Sequence, residues 1–483
     1  MPGQRADEGD QFLTSVFSRE QQAAEDPLAP ATETTQAPEQ PSVSGLPHGE
    51  PKKFAGWSAR LPQTLPPRQA AIVISGVGGD SAQHHSSFQL LSCCMEPFPH
   101  SDANFGQLDL DVSTSFERGK PPPAEFLIKM SNWSEGQETL TGWLNACRRQ
   151  HRDDLELLIW DVNTGVKIPW ELLRLPPDRS ANLPQGYLGA LVTVARWPGG
   201  GVDPGRASRM AEPVPVRGSG DVLAHFAAGL EADRDMLRGF FGELEEEDPV
   251  NLLALLKRLE DEPGALALLY IACHGRFSDV PGKCRLDNLD LERATKFFER
   301  DLPRLIARPT LAFLNACDTG VSGINTNTNE YNDGALRGWA NFFLSRGAAG
   351  VLATAGKVGK DQARELANDL FQMLRAGQGL SVAQALKLLR AARARELEAK
   401  ERAVIEQEYE RQWRLDAMSP EASAADRAAS DQAAKVKAVK DAGEMMTLLQ
   451  PFMYVYFHLP DLWTLPADRA DPAETGELTG AGG

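Results

Sequence analysis

Two stretches of this 483-residue chain put reactive side chains where an apolar run ends. In "IACHGRF", residues 271–277, the run stops at Cys273, His274 and Gly275; in "LAFLNACDTG", residues 311–320, it stops at Cys317. A thiol with an ordinary pKa of ~8.5 is mostly protonated at neutral pH and is then a poor nucleophile. An imidazole beside it raises the thiolate fraction or takes the proton during attack, so Cys317 and His274 in one crevice would make a nucleophile and its base. Gly275 adds a third part. Lacking a side chain, its backbone N–H can come close to a substrate carbonyl and, with the N–H of Cys317, hold the oxyanion of a tetrahedral intermediate. Either motif alone is equally well explained by packing, because a strand-end cysteine often serves as a small hydrophobe and a strand-end histidine as a satisfied core or surface residue.

The elements that must position these residues decide whether they meet. "ALALLYIA" (265–272) and "TLAFLNA" (310–316) are continuous apolar runs of strand length, as buried parallel strands show. Between them "LDLERATKFFERDLPRLIA" reads as a helical crossover. Strand, helix, strand implies parallel neighbours whose carboxyl ends share one edge of the sheet, the edge at which open α/β sheets bind ligands. Neighbouring strands lie ~4.8 Å apart, so a thiol and an imidazole at those ends reach a common crevice. "RGAAGVLATA" (346–355) leads into a third strand, and "PFMYVYFHLP" (451–460) has the aromatic and β-branched content of another. Upstream, "AAIVIS" from Ala70 and "LELLIW" (155–160) read as strands, and "IPWELLRLP" (168–176) as an apolar turn. "QARELANDLFQMLRAGQ" and "SVAQALKLLRAARARELEAKERA" have helical spacing, and the charged, Ala-rich stretch that follows is expected to be helical in part.

With 42% hydrophobic residues the chain can bury a core; its 50 Lys+Arg against 67 Asp+Glu give a net charge of −17, which argues against nucleic acid or an anionic membrane as partner. No apolar segment approaches the ~20 residues needed to cross a bilayer, and the N-terminus lacks the pattern of a secretory signal, so a cytoplasmic location is expected. Six cysteines without a CxxC pair point to reduced thiols rather than a disulfide framework. Four regions are expected: a disordered tail over 1–65, rich in Pro, Gln, Ala, Glu, Ser and Thr; an N-terminal α/β region over 66–210, closed by a Gly- and Pro-dense stretch at 197–220; a second α/β region over 211–463 carrying the chemistry, with a helical, charged insertion at about 391–447; and an acidic tail over 464–483.

Caspases carry their nucleophile in Q-A-C-[RQG]-G, with the histidine about 50 residues upstream. Here "NACDTG" has His274 at a comparable distance before it. Together with "GALRGWANFFLSRGAAGVLAT", "FMYVYFHL" and, further upstream, "LLIWDVNTGVKIPWELL", these motifs make the chain resemble the CHAT domain, a peptidase family related to caspases and separases. The resemblance covers roughly residues 150–460. It implies a caspase-like α/β sandwich, with a central mainly parallel sheet flanked by helices and preceded by a degenerate caspase-like half. It also implies a cysteine endopeptidase acting on a protein substrate, with His274 as base, Cys317 as nucleophile, Gly275 and Cys317 as oxyanion donors, and Asn315 and Asp318 at the substrate-binding positions beside the nucleophile. Such an enzyme needs no cofactor or metal. It is usually regulated, so a separate activator or sensor protein is expected, in a prokaryotic defence or programmed-death system. Alternatives are a catalytically silent interaction module and a small-molecule thiol hydrolase. The chain departs from the family at Thr354, Ala355 and Gly356, where Ala- or Ser-Leu-Trp is common, and in its 391–447 segment; "GVSGINTNTNEYNDG" (320–334) reads as a surface loop.

Other motifs carry less. "AGVLATAGKVG" has the wrong glycine spacing for a phosphate loop and puts Val358 where Ser or Thr would bind magnesium; "SGVGGDS" lacks the third glycine of a dinucleotide fingerprint. His84–His85 with Cys93–Cys94 matches no common zinc spacing, and "GELEEEDP" reads as a solvated helix end.

Overall fold

Strands of uninterrupted apolar character need cover on both faces, and the computed structural model gives it to them in one eleven-stranded sheet. The structure describes residues 65–77, 85–95, 98–101, 123–162, 168–198, 216–217, 220–246, 252–278, 284–298, 301–321, 338–376, 379–417, 444–457 and 463–464. The expected tails, and most of the 320–334 loop, lie outside these residues. The sheet strands are β1 Gln69–Val77, β2 His85–Ser92, β3 Phe98–Ser101, β4 Glu156–Val162, β5 Thr193–Pro198, β6 Asp221–Phe226, β7 Glu245–Glu246, β8 Leu266–Ala272, β9 Leu311–Asn315, β10 Gly350–Thr354 and β11 Tyr454–Phe457. Their spatial order is β7-β6-β8-β9-β10-β11-β5-β4-β1-β2-β3.

From β7 to β10 every neighbour is parallel. Strand β11 reverses the direction against β10, and β5, β4 and β1 then follow it in parallel. Only the β1-β2-β3 edge is an antiparallel meander. The sheet is thus two parallel halves running in opposite senses and joined at β10-β11, the mainly parallel, helix-flanked α/β sandwich that the motifs imply.

Side-chain alternation along β8 and β9 assigns the two faces. Leu268, Tyr270 and Ala272, with Leu311 and Phe313, pack on Leu370, Phe371 and Leu374 of α7 (Lys360–Ala376) and on Leu386 of α8 (Val382–Ala417). Leu269 and Ile271, with Ala312 and Leu314, pack on Leu255 and Leu259 of α4 (Leu252–Asp261) and on Phe343 of α6 (Trp339–Ser345). The other half is covered by α1 (Pro123–Glu135) and α2 (Glu138–His151), whose Phe126, Met130, Trp143 and Leu144 meet Ile72, Leu157 and Ile159. Further helices include α3 (Glu231–Phe241), between β6 and β7, and α5 (Leu291–Phe297), in the β8-to-β9 crossover.

One expectation needs adjusting, and one is met in part. The last strand is shorter than the 451–460 run: a helix over 444–453 continues to Met453, because Met445, Leu449, Phe452 and Met453 are all drawn into the core. The first part of the 391–447 segment is the continuation of α8, whose Ala394 and Leu397 are buried against the N-terminal half. Among the described residues no helix is long and apolar enough to cross a membrane.

Candidate active site

β8 pairs with β9 so that Ala272 stands beside Asn315. His274 and Cys317 each follow that pair by two residues, at the carboxyl ends of adjacent parallel strands. The alternation that sends Tyr270 and Phe313 to one face, where their ring centroids are 5.1 Å apart, gives His274 and Cys317 the parity of that same face.

Gly275 explains itself by contact. A Cβ built there would lie 2.0 Å from the carbonyl oxygen of Cys317 and 3.0 Å from both its C and its N. The glycine is required first by the main chain of the cysteine, whatever it later does for a substrate. Its strand, Gly275–Arg276, pairs with Arg285–Leu286, and the hairpin turn there presents the N–H of Asp287 (φ 53°) to the carbonyl oxygen of His274 at 2.6 Å. The backbone on both sides of the imidazole is therefore fixed, one side by Cys317 and the other by the hairpin.

The turn after β9 is held as firmly. Asp318 is buried and adopts φ 58°, a left-handed conformation that Asp tolerates better than most residues. Its N–H donates to the carbonyl of Gly356 (3.1 Å), and Gly320 N–H donates to Thr354 O (2.7 Å). The Thr354 hydroxyl donates to Ala316 O (2.5 Å), while Thr354 N–H donates to Thr319 Oγ1 (3.2 Å). Thr354 and Gly356 thus anchor the turn that carries Cys317.

The thiol of Cys317 is half-buried. Its Sγ lies 3.5 Å from the Val358 N–H, which donates to it, and 3.6 Å from the Val358 carbonyl, to which the thiol donates. Burial pushes its pKa up and the Asp318 charge adds to this; the Val358 N–H, the Lys357 charge and the cysteine's own N–H oppose it. The imidazole of His274 is exposed and makes no hydrogen bond among the described residues. The structure therefore brings Cys317 and His274 to one edge of the sheet, with the sulfur resting on Val358 rather than on the ring.

Asn315 sits beneath, 5% exposed. Its Nδ2 donates to the Tyr270 hydroxyl (2.8 Å) and to Asp233 Oδ1 (3.2 Å), and its Oδ1 accepts from the Tyr454 hydroxyl (2.5 Å). The Tyr270 hydroxyl donates to Asp233 Oδ1 (3.0 Å). This network links α3, β8, β9 and β11 beneath the strand ends, and burial pushes the Asp233 carboxyl up. Asp233 and Tyr454 were not singled out from the sequence. The signal for Tyr270 and Tyr454 was that a polar tip in an otherwise apolar segment must find a buried partner; Asp233, in a charged helix, gave none. A groove of about 430 Å³ between α7, α8 and the 444–453 helix, lined among others by Glu365, Asp369 and Arg393, includes none of the site residues.

The CHAT domain family model matches residues 207–466, more than half of the chain. None of the curated proteins matches the sequence. Two crystal structures of the Saccharomyces cerevisiae separase–securin complex, at 2.6 and 3.0 Å resolution, are similar at 14% identity with TM-scores of 0.35 and 0.34, covering 65% and 64% of this chain. The match spans 16% of the length of the yeast chain in each.

Proposed function

Because the chain belongs to the CHAT domain family, a peptidase family related to caspases by resemblance, we propose that it is a cysteine endopeptidase that cleaves protein substrates through an acyl-enzyme on Cys317. The observation that carries the reading is the register: His274 and Cys317 stand at equivalent positions past the Ala272–Asn315 pair, with the Gly275 main chain against that of Cys317.

The Cys317 sulfur attacks the scissile carbonyl while His274 takes its proton; His274 then protonates the leaving amine, and water, deprotonated by the same ring, hydrolyses the thioester. The oxyanion lies against the N–H groups of Gly275 and Cys317; the latter makes no main-chain hydrogen bond among the described residues. Asp318 and Asn315 act at the substrate side of the turn, Asn315 through the network it anchors. The fold must do one thing first. The sulfur has to leave Val358 and meet the imidazole, which fits an enzyme kept at rest until a separate activator or sensor protein engages it, in a prokaryotic defence or programmed-death setting.

The resting sulfur also favours a second reading, a catalytically silent module that recruits partners through the same crevice. One experiment separates the two: labelling with an electrophilic thiol probe, on purified protein and in lysate of the source cells, for the natural chain, Cys317→Ala and His274→Ala. Selective labelling at Cys317 that slows when His274 is removed supports the peptidase, and a search for newly cleaved proteins follows. Labelling in both settings no faster than at Cys284 would reject it in favour of the silent module.

A further inference from the structure

A second cluster of thiols and imidazole lies in the N-terminal half, outside the span of the CHAT match. Strand β2 ends at Ser92, and Cys93 continues its pairing with β1 by donating its N–H to Gln69 O (3.1 Å). The chain then turns at Cys94, which is exposed. Facing it is the last turn of α2, where the apolar stripe Leu140, Trp143, Leu144 ends in Cys147 and, one turn on, His151. Residues four apart share a helical face, so Cys147 and His151 both look toward the β2 end. The sequence hides this convergence, because the imidazole comes from far along the chain rather than from the neighbouring His84–His85.

The distances suit a metal ion. The Cys93 Sγ and His151 Nε2 are 3.2 Å apart, and the ligand atoms of Cys93, Cys94 and His151 all lie within 4.8 Å of one another. Tetrahedral zinc, with Zn–S of about 2.3 Å and Zn–N of about 2.0 Å, requires edges of roughly 3.5 to 3.8 Å between its ligands. Cys147, fully buried one turn before His151 on the same helical face, has its thiol pushed up by burial. The nearby cations are engaged elsewhere: Arg148 donates to Asn145 Oδ1 and to Pro184 O, and Arg149 pairs with Asp178. The cluster also sits at the carboxyl end of α2, where the helix dipole favours a cation.

From this geometry we infer that Cys93, Cys94 and His151 bind a thiophilic divalent cation, Zn²⁺, as its three protein ligands. Each ligating thiol gives its proton to solvent, the imidazole binds neutral through Nε2, and no electron is transferred. Soft thiolates with one imidazole are a zinc set rather than a magnesium or calcium one. The ion would tie the β2 end to α2 and so clamp the sheet edge farthest from β7.

The test uses the full chain, stripped of metal under reductant and titrated with Zn²⁺ against a chromophoric chelator, and in parallel with Co²⁺. The expected result is one equivalent of Zn²⁺, and a Co²⁺ complex with thiolate charge-transfer and intense tetrahedral bands. Cys94→Ser and His151→Gln should each weaken Zn²⁺ binding at least tenfold. Cys94 is exposed, so its replacement leaves the core intact and circular dichroism confirms the fold. Absence of stoichiometric binding, unchanged affinity in a folded Cys94→Ser protein, or a Cys93–Cys94 disulfide that forms in air with no metal binding after reduction would each overturn the assignment.

Discussion

The chain holds two thiol–imidazole pairs built in opposite ways. Cys93 and His151 are in direct contact at 3.2 Å, with further thiols around them, and lie where a strand end meets the end of a helix. Cys317 and His274 make no such contact, yet their backbones are locked together at the carboxyl ends of parallel strands, with a left-handed turn at Asp318 and a side-chain-free position at Gly275. If Cys317 is the nucleophile, as proposed, contact between a cysteine and a histidine is not what marks one. Catalysis needs donors aimed where charge will develop, and on the proposed reading the N–H groups of Gly275 and Cys317 are those donors. The other cluster supplies converging ligand atoms instead.

The widest separation between the two sites should come from Cys317→Ala. It is expected to lower peptidase turnover by roughly three orders of magnitude or more, measured on whichever protein the cleavage search identifies, with the unfolding midpoint little changed. Retained turnover would place the nucleophile elsewhere and undo the comparison. Next comes the contact that locks the site. Gly275→Ala puts a methyl group 2.0 Å from the Cys317 carbonyl oxygen, and main chain cannot give as a side chain does. A loss of about 1 to 3 kcal/mol in denaturant unfolding is expected, with slower probe labelling at Cys317.

A third measurement asks whether each imidazole serves its own thiol. In the resting protein, burial holds the Cys317 thiol above the ordinary range, so its alkylation rate should inflect above about pH 8.5. An inflection well below that value would show His274 already engaged. His151→Gln should change the alkylation of Cys93 and leave that of Cys317 alone. Beneath the site, Tyr454→Phe leaves Asn315 Oδ1 without its donor in a buried position, a cost of about 1 to 3 kcal/mol.

The smallest effect is electrostatic. Burial raises the folded-state pKa of Asp233 above its unfolded value. Its contribution to stability is full below about pH 3.9 and is lost as pH rises through the raised value. Asp233→Asn removes that loss, so its stability relative to the natural chain should improve from pH 4 to pH 7 in denaturant titrations. A difference that is flat with pH would mean the carboxyl titrates normally.

Much of this was legible because parallel strands announce themselves. "LALLYIA" and "LAFLN" are apolar throughout since both faces are covered, and their ends at Cys273-His274-Gly275 and Cys317 stand out against that background. The last strand was overextended because an apolar run such as "PFMYVYF" serves equally as a buried helix end, and packing of Phe452 and Met453 decided it. Gly275 was expected to serve a substrate; its immediate reason, the Cys317 main chain, depends on how closely two loops approach, which spacing does not encode. The Asn315 network draws on α3, β8, β9 and β11, segments far apart in the chain.

By itself the sequence determined the strand-helix-strand order, the polarity of the strands, and hence that His274 and Cys317 end on one edge of one sheet; these follow from local pattern and chain connectivity. Only the tertiary structure decided where the Cys317 sulfur rests, what Gly275 touches, and that His151 meets Cys93 and Cys94. Those outcomes depend on the packing of side chains and loops from distant segments, and no periodicity along the chain carries that information.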